Sequence, residues 1–95
     1  MSVYLLIDID VVDQDVYEEY RKLVPPLIEK YGGRYIVRGG NITVLQGEWD
    51  PHRVVILEFS SADRAAELFT SEEYAPVAEL RNRSAVSKIF MVEGV

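Results

Sequence analysis

The sequence predicts an α+β ferredoxin-like sandwich, βαββαβ with an extra short strand, and three observations carry that expectation. Apolar residues alternate with period two in several short segments, recur every three to four residues in two longer ones, and the segments follow the order strand, helix, hairpin, strand, helix, strand. Both helices are then expected on one face of the sheet. With 95 residues and 48% hydrophobic content, the chain makes a single domain over 1–95, with a real core and no room for a second unit.

The first strand is read over Val3 to Val11, where Val3, Leu5, Ile7, Ile9 and Val11 alternate with Tyr4, Leu6, Asp8 and Asp10. From Gln14 onward, Val16, Tyr20, Leu23, Leu27 and Tyr31 fall at helical spacing, with Asp13 placed as the cap. Pro25 and Pro26 lack backbone donors, so a kink or restart is expected there, and Gly32 and Gly33 end the helix. "RYIVR" and "ITVLQ", joined by "GGN", read as a hairpin, because those turn residues tolerate the positive φ that tight turns demand. The turn "EWDPH" leads to a strand over Arg53 to Phe59. Ser60, Ser61 and Asp63 can then cap a helix carrying Ala62, Ala65, Ala66 and Phe69 on one face. A second start at "TSEEY" fits a capping box of Thr70 with Glu73, with the helix running to about Arg81 or Arg83 and "SKIFMVE" closing the sheet.

Parity assigns the two faces of the sheet. Val3, Leu5, Ile7, Ile9, Val55, Leu57 and Phe59 should face the helices. Tyr4, Leu6, Ile36, Val54 and Ile56 then form an apolar area on the other face, together with Asp8, Arg38 and Glu58. That area is too large to leave in water, and a second copy packed face to face about a twofold axis is the cheapest cover. A homodimeric α+β barrel is therefore expected.

Composition excludes several partners. The net charge of −6 repels phosphate backbones and anionic lipid, so neither nucleic acid nor membrane is expected as a partner. The start "MSVYLLIDID" has no basic signal region, which together with the absence of any long apolar run leads us to expect a soluble, cytoplasmic protein. No cysteine is present, which removes thiolate chemistry and thiolate metal sites. No metal, flavin or nucleotide signature stands in the chain, so no cofactor is expected. The acidic run "DIDVVDQD" fails as a calcium loop: from Asp8, the sixth position is Asp13 where glycine is needed, and the fifth is Val12. His52, the single histidine, reads as a loop residue, and the lone "RGG" carries no RNA-binding argument.

Glu58, inside "VVILEFSS", is the most informative polar residue, since a carboxylate in a burial pattern needs a partner. It serves either as half of an ion pair with Arg38 or Arg81 that sets the register of a dimer, or as the proton-transfer group of a site. Arg38 and Arg81 are the candidate anion anchors. Tyr17, Tyr20 and Tyr74 are the candidate walls and hydrogen-bond donors, Tyr74 and Arg81 sharing a helical face. Asp8 is a further candidate on the same sheet face and an alternative partner for Arg81. Trp49, costly to expose fully, either packs over the sheet edge or partner subunit or lids a pocket.

The chain also resembles the domain of unknown function 1330 family (DUF1330) within the dimeric α+β barrel superfamily. The resemblance runs through "DQDVYEEY" with Asp13, Tyr17 and Tyr20, "YGGRYIVRGG", Gly47, "VVILEF", "SEEY", Arg81 and the closing "VEG". It departs at "LFTSEEY", where the family tends to carry another aromatic and an asparagine before the serine. The resemblance implies the face-to-face dimer and names no activity. Its superfamily includes cofactor-independent oxygenases, isomerases and decarboxylating enzymes on small organic acids or aromatics. The expected function is thus binding of a small anionic or aromatic organic molecule in a pocket beside the sheet. A cofactor-independent enzyme of one of those kinds and a purely structural dimer stand as alternatives.

Overall fold

Four strands and three helices follow one another as β1 (Val3–Val11), α1 (Gln14–Lys30), β2 (Arg34–Arg38), β3 (Arg53–Phe59), α2 (Ala62–Phe69), α3 (Tyr74–Ser84) and β4 (Ala85–Glu93), in a computed structural model that describes residues 1–95. The sheet order is β2-β3-β1-β4, with every neighbouring pair antiparallel. This is the ferredoxin-like arrangement. The odd positions of β1 and β3 are buried beneath the helices as their parity requires, and with Tyr17, Tyr20, Val24, Ile28, Ala65, Leu68, Tyr74 and Val77 they form the core.

Local chemistry sets the helix starts. Asp13 accepts the Val16 N–H at α1 and Ser61 accepts the Arg64 N–H at α2. The expected Thr70–Glu73 capping box does not form. The Thr70 hydroxyl donates back to the Ala66 carbonyl, Ser71 Oγ accepts the Tyr74 N–H, and Glu73 accepts from Lys30 and Tyr31, pinning the end of α1 to the start of α3.

Helix α1 corrects two expectations. It runs through Pro25 and Pro26 without restarting, because the carbonyls left without donors belong to Arg21 and Lys22 on the partly or fully exposed side, where solvent can bond them. Its buried stripe is Tyr17, Tyr20, Val24 and Ile28, which leaves Leu23 half exposed. In α2 the buried pair is Ala65 and Leu68, while Ala62 and Ala66 face outward.

The expected extra strand at "ITVLQ" is absent. In "GGN" Gly39 adopts positive φ, at +70°, but its N–H donates to the Val54 carbonyl at 2.8 Å, which carries the chain on along β3. The chain does not fold back on β2, and residues 40–52 leave the sheet as an arm carrying exposed Ile42, Val44, Leu45 and Trp49. A second irregularity lies within β2. Tyr35 pairs with Leu57 but Val37 pairs with Ile56, so Ile36 is the extra residue of a β-bulge. Every side chain beyond it changes face: Val37 joins the open face with Ile56, and Arg38, opposite Val55, joins the helix face.

Candidate functional site

The bulge removes Arg38 from the face that carries Glu58. Arg38 lies on the other face and Arg81 is buried in α3, so neither pairs with it. Glu58 instead stands opposite Tyr4 on β1 and Arg34 on β2; the Arg34 Nε donates to Oε1 at 2.5 Å and the Tyr4 hydroxyl donates to Oε2 at 2.9 Å. Arg34, and then Tyr4, hold the Glu58 carboxyl below the usual carboxylate range, while the bond to Glu58 raises the Tyr4 phenol. Both carboxylate oxygens are engaged in a closed cross-strand cluster.

Asp8 serves the loop. Its Oδ1 accepts the His52 backbone N–H at 2.8 Å, and the His52 ring lies between Asp8 and Asp10, at 3.7 Å and 3.8 Å. That contact anchors the arm where it enters β3. Trp49 is 70% exposed in the single protomer, and with Leu6, Val54 and Phe90 it lines an open concavity of about 1110 Å³ between arm and sheet.

Tyr17, Tyr20 and Arg38 converge on the helix face. Together with Arg21, Tyr35, Arg53 and apolar residues including Ile7, Ile9, Val24, Val55 and Leu57 they line a cavity of about 20 Å³ between α1 and the sheet. The Arg38 guanidinium stacks 4.5 Å from the Tyr35 ring centroid, and that of Arg53 lies 6.0 Å from Tyr17. Arg21 is neutralised by Glu18 at 2.9 Å, whereas Arg38 and Arg53 have no carboxylate within 4.0 Å. Burial raises the phenols of Tyr20 and Tyr35, with Arg38 opposing the shift at Tyr35, so both are neutral hydroxyls at ordinary pH. The positive charge of the cavity is that of its arginines.

Arg81 and Tyr74 form a layer behind this cavity. Arg81 Nη1 donates to the Tyr74 hydroxyl at 2.7 Å, and the guanidinium lies 5.9 Å from the Tyr20 ring centroid. Burial disfavours the Arg81 charge, but the phenols of Tyr74 and Tyr20 outweigh it and the net shift is upward. No acidic partner reaches Arg81, contrary to the salt bridge considered for it.

Arg53 and Tyr35 are the cavity residues that sequence reasoning missed. Arg53 carried a signal, since it shares the odd parity of Val55, Leu57 and Phe59 and an arginine in a helix-facing register needs a reason to be there. Tyr35 carried the same parity signal, since it stands ahead of the bulge and opposite Leu57, whereas the switch of Arg38 carried none, because the bulge that moves it has no glycine or proline to mark it.

Fold and cavity together define a ferredoxin-like α+β domain with an arginine–tyrosine pocket under its first helix. The chain belongs to the DUF1330 family, described as a domain of unknown function, whose family model matches residues 2–95. No curated protein of known function matches the sequence. Among solved structures, it is similar to the RPA0582 protein of unknown function from Rhodopseudomonas palustris, with 20% identity and a TM-score of 0.81, over 99% of this chain and 82% of that one. It is also similar to SnoaB, a cofactor-independent oxygenase from Streptomyces nogalater, with 11% identity and a TM-score of 0.69, over 99% and 93% of the chains. Rv0793 from Mycobacterium tuberculosis superposes with a TM-score of 0.61 at 14% identity, over 100% and 96%. At these identities the likeness is one of fold. No helix is long and apolar enough to cross a membrane.

Proposed function

We propose that this protein is a homodimer that binds a small anionic or aromatic organic molecule in the pocket between α1 and the sheet. The observation that carries the reading is the convergence of Tyr17, Tyr20 and Tyr35 with two guanidinium groups that lack counterions, Arg38 and Arg53, around one cavity. Flat rings and unneutralised arginines are the groups that recognise planar and anionic ligands. Homodimerisation is supported by the open face, where Leu6, Val37, Val54 and Phe90 line the concavity beneath the arm.

The catalytic alternative draws on the fold shared with SnoaB, but its proposed proton-transfer group is poorly placed. Glu58 is committed to Arg34 and Tyr4 on the face opposite the cavity, an arrangement that favours the register-setting ion pair. A fragment screen followed by ¹H–¹⁵N NMR tests the reading. Hits should move the amides of Tyr17, Tyr35, Arg38 and Val55; hits confined to Leu6, Val54 and Phe90 would refute the pocket.

A further inference from the structure

We infer that the cavity under α1 is a carboxylate site, in which one carboxylate head seats between Arg38 and Arg53 while a flat apolar body lies outward against Tyr35. The inference rests on the pocket reading above and adds the charge and size of the group that enters.

Charge comes first. The chain carries 16 acidic and 10 basic residues, so acidic partners are in surplus, and Arg21, Lys30, Arg34 and Arg64 each find one. Arg38 and Arg53 find none, although both line the same cavity. Two uncompensated guanidinium groups beside one mostly apolar cavity repel each other, and an anion between them relieves that repulsion. Their guanidinium groups lie 4.5 Å and 6.0 Å from tyrosine ring centroids and donate no side-chain hydrogen bond, which leaves their N–H groups free to donate. The Arg53 Nε is buried and has no acceptor, an unmet donor of the kind that folded proteins seldom leave.

The backbone is shaped for this guanidinium. Gly39, at positive φ, directly follows Arg38, and a side chain there would occupy the space of the Arg53 guanidinium. Size comes next. A cavity of about 20 Å³ holds a single water-sized group, so one carboxylate oxygen enters it and an aromatic ring does not. The ring must remain at the mouth, where Arg38 is exposed and Tyr35 is half-buried. With neutral phenols around it, the head meets positive charge from the arginines and no opposing negative charge from Tyr20 or Tyr35.

The test is an NMR titration of the intact protein at constant ionic strength and pH 7, following arginine Nε–H and backbone amide resonances, with sodium benzoate, benzamide and inorganic phosphate as probes. Benzoate is expected to shift Arg53 Nε–H and the Gly39 amide saturably and to bind at least tenfold more tightly than benzamide. Arg38→Gln and Arg53→Gln should each weaken benzoate at least tenfold and leave benzamide unchanged, while Arg34→Gln on the open face should alter neither. Arg38 is exposed, so its variant is expected to fold even where Arg53→Gln does not, and Arg53→Lys supplies a charge-conserving second variant. Equal affinity of benzoate and benzamide at the pocket would overturn the carboxylate inference and leave the pocket reading intact. Failure of both to shift pocket resonances would overturn both. Tighter binding of phosphate than of benzoate would overturn the assignment to a carboxylate.

Discussion

Replacing Tyr74 with phenylalanine separates a structural from a ligand-binding Arg81. Tyr74 is 4% exposed and Arg81 7%, and the 2.7 Å bond between them is the one side-chain hydrogen bond that Arg81 makes; its Nε is already without a partner. Tyr74→Phe deletes the hydroxyl and keeps the ring, so the edge-on contact with Phe69 at 5.1 Å survives and little packing is lost. The cost is then that of a hydrogen bond to a buried charge, about 1.5 to 3 kcal/mol. For a domain of this size each kcal/mol lowers Tm by roughly 4 to 8 °C, so the expected fall is roughly 6 to 24 °C. Circular-dichroism melts and urea titrations measure it, at one fixed protein concentration because dimerisation would couple to unfolding. Arg81→Met removes the buried charge but leaves the buried Tyr74 hydroxyl without its partner, so alone it should also cost about 1 to 3 kcal/mol. In the Arg81→Met background, Tyr74→Phe should cost little. A Tm unchanged by Tyr74→Phe, or an equal cost in both backgrounds, would refute the reasoning and leave Arg81 free to act as a ligand anchor.

Three further outcomes are expected. Stability should be fully supported by the Glu58 cluster above the unfolded carboxyl value near 4.5 and lost as pH falls through the lower folded value, because protonation is harder in the folded state; Glu58→Gln should flatten that acid limb in pH-dependent melts. Leu6→Glu should weaken self-association by several kcal/mol, against a few tenths for Ala66→Glu on the outer side of α2, as read by sedimentation equilibrium. Gly33→Ala should cost about 1 to 3 kcal/mol, because a methyl group there meets the fully buried Phe59 ring and Ile28, whereas Gly40→Ala meets nothing and should be close to neutral in denaturant melts.

The reach of the sequence followed the strength of its periodic signals. In β1 every odd position from Val3 to Val11 is apolar while Asp8 and Asp10 stand between them, and in β3, apolar on both faces from Val54 to Leu57, Phe59 against Glu58 gave the parity, so faces and core could be read directly. The stripe of α1 was harder. Val16, Leu23 and Leu27 offer an apolar path one position out of phase with Tyr17, Val24 and Ile28, and only packing against β2 and β3 selects between them. The hairpin failed for the opposite reason: "GGN" permits a turn, but permission by composition does not select it over the path taken, in which the Gly39 N–H bonds the Val54 carbonyl and the chain runs on along β3.

The bulge at Ile36 had the largest consequence for the site. Parity counting through an unbroken strand puts Arg38 beside Glu58 as a salt bridge on the open face. Arg34, ahead of the bulge, stands opposite Glu58 and takes that place, while the inserted residue carries Arg38 away from any acid to the helix face beside Arg53. The bulge therefore creates the uncompensated charge of the cavity, and Glu58 is satisfied by the strand that precedes it. Such a shift is invisible to a period-two pattern, because "RYIVR" alternates equally well with the bulge or without it; the arbiter is the pairing of β2 with β3, where Arg34 meets Glu58 at one end and Arg38 meets Val55 at the other.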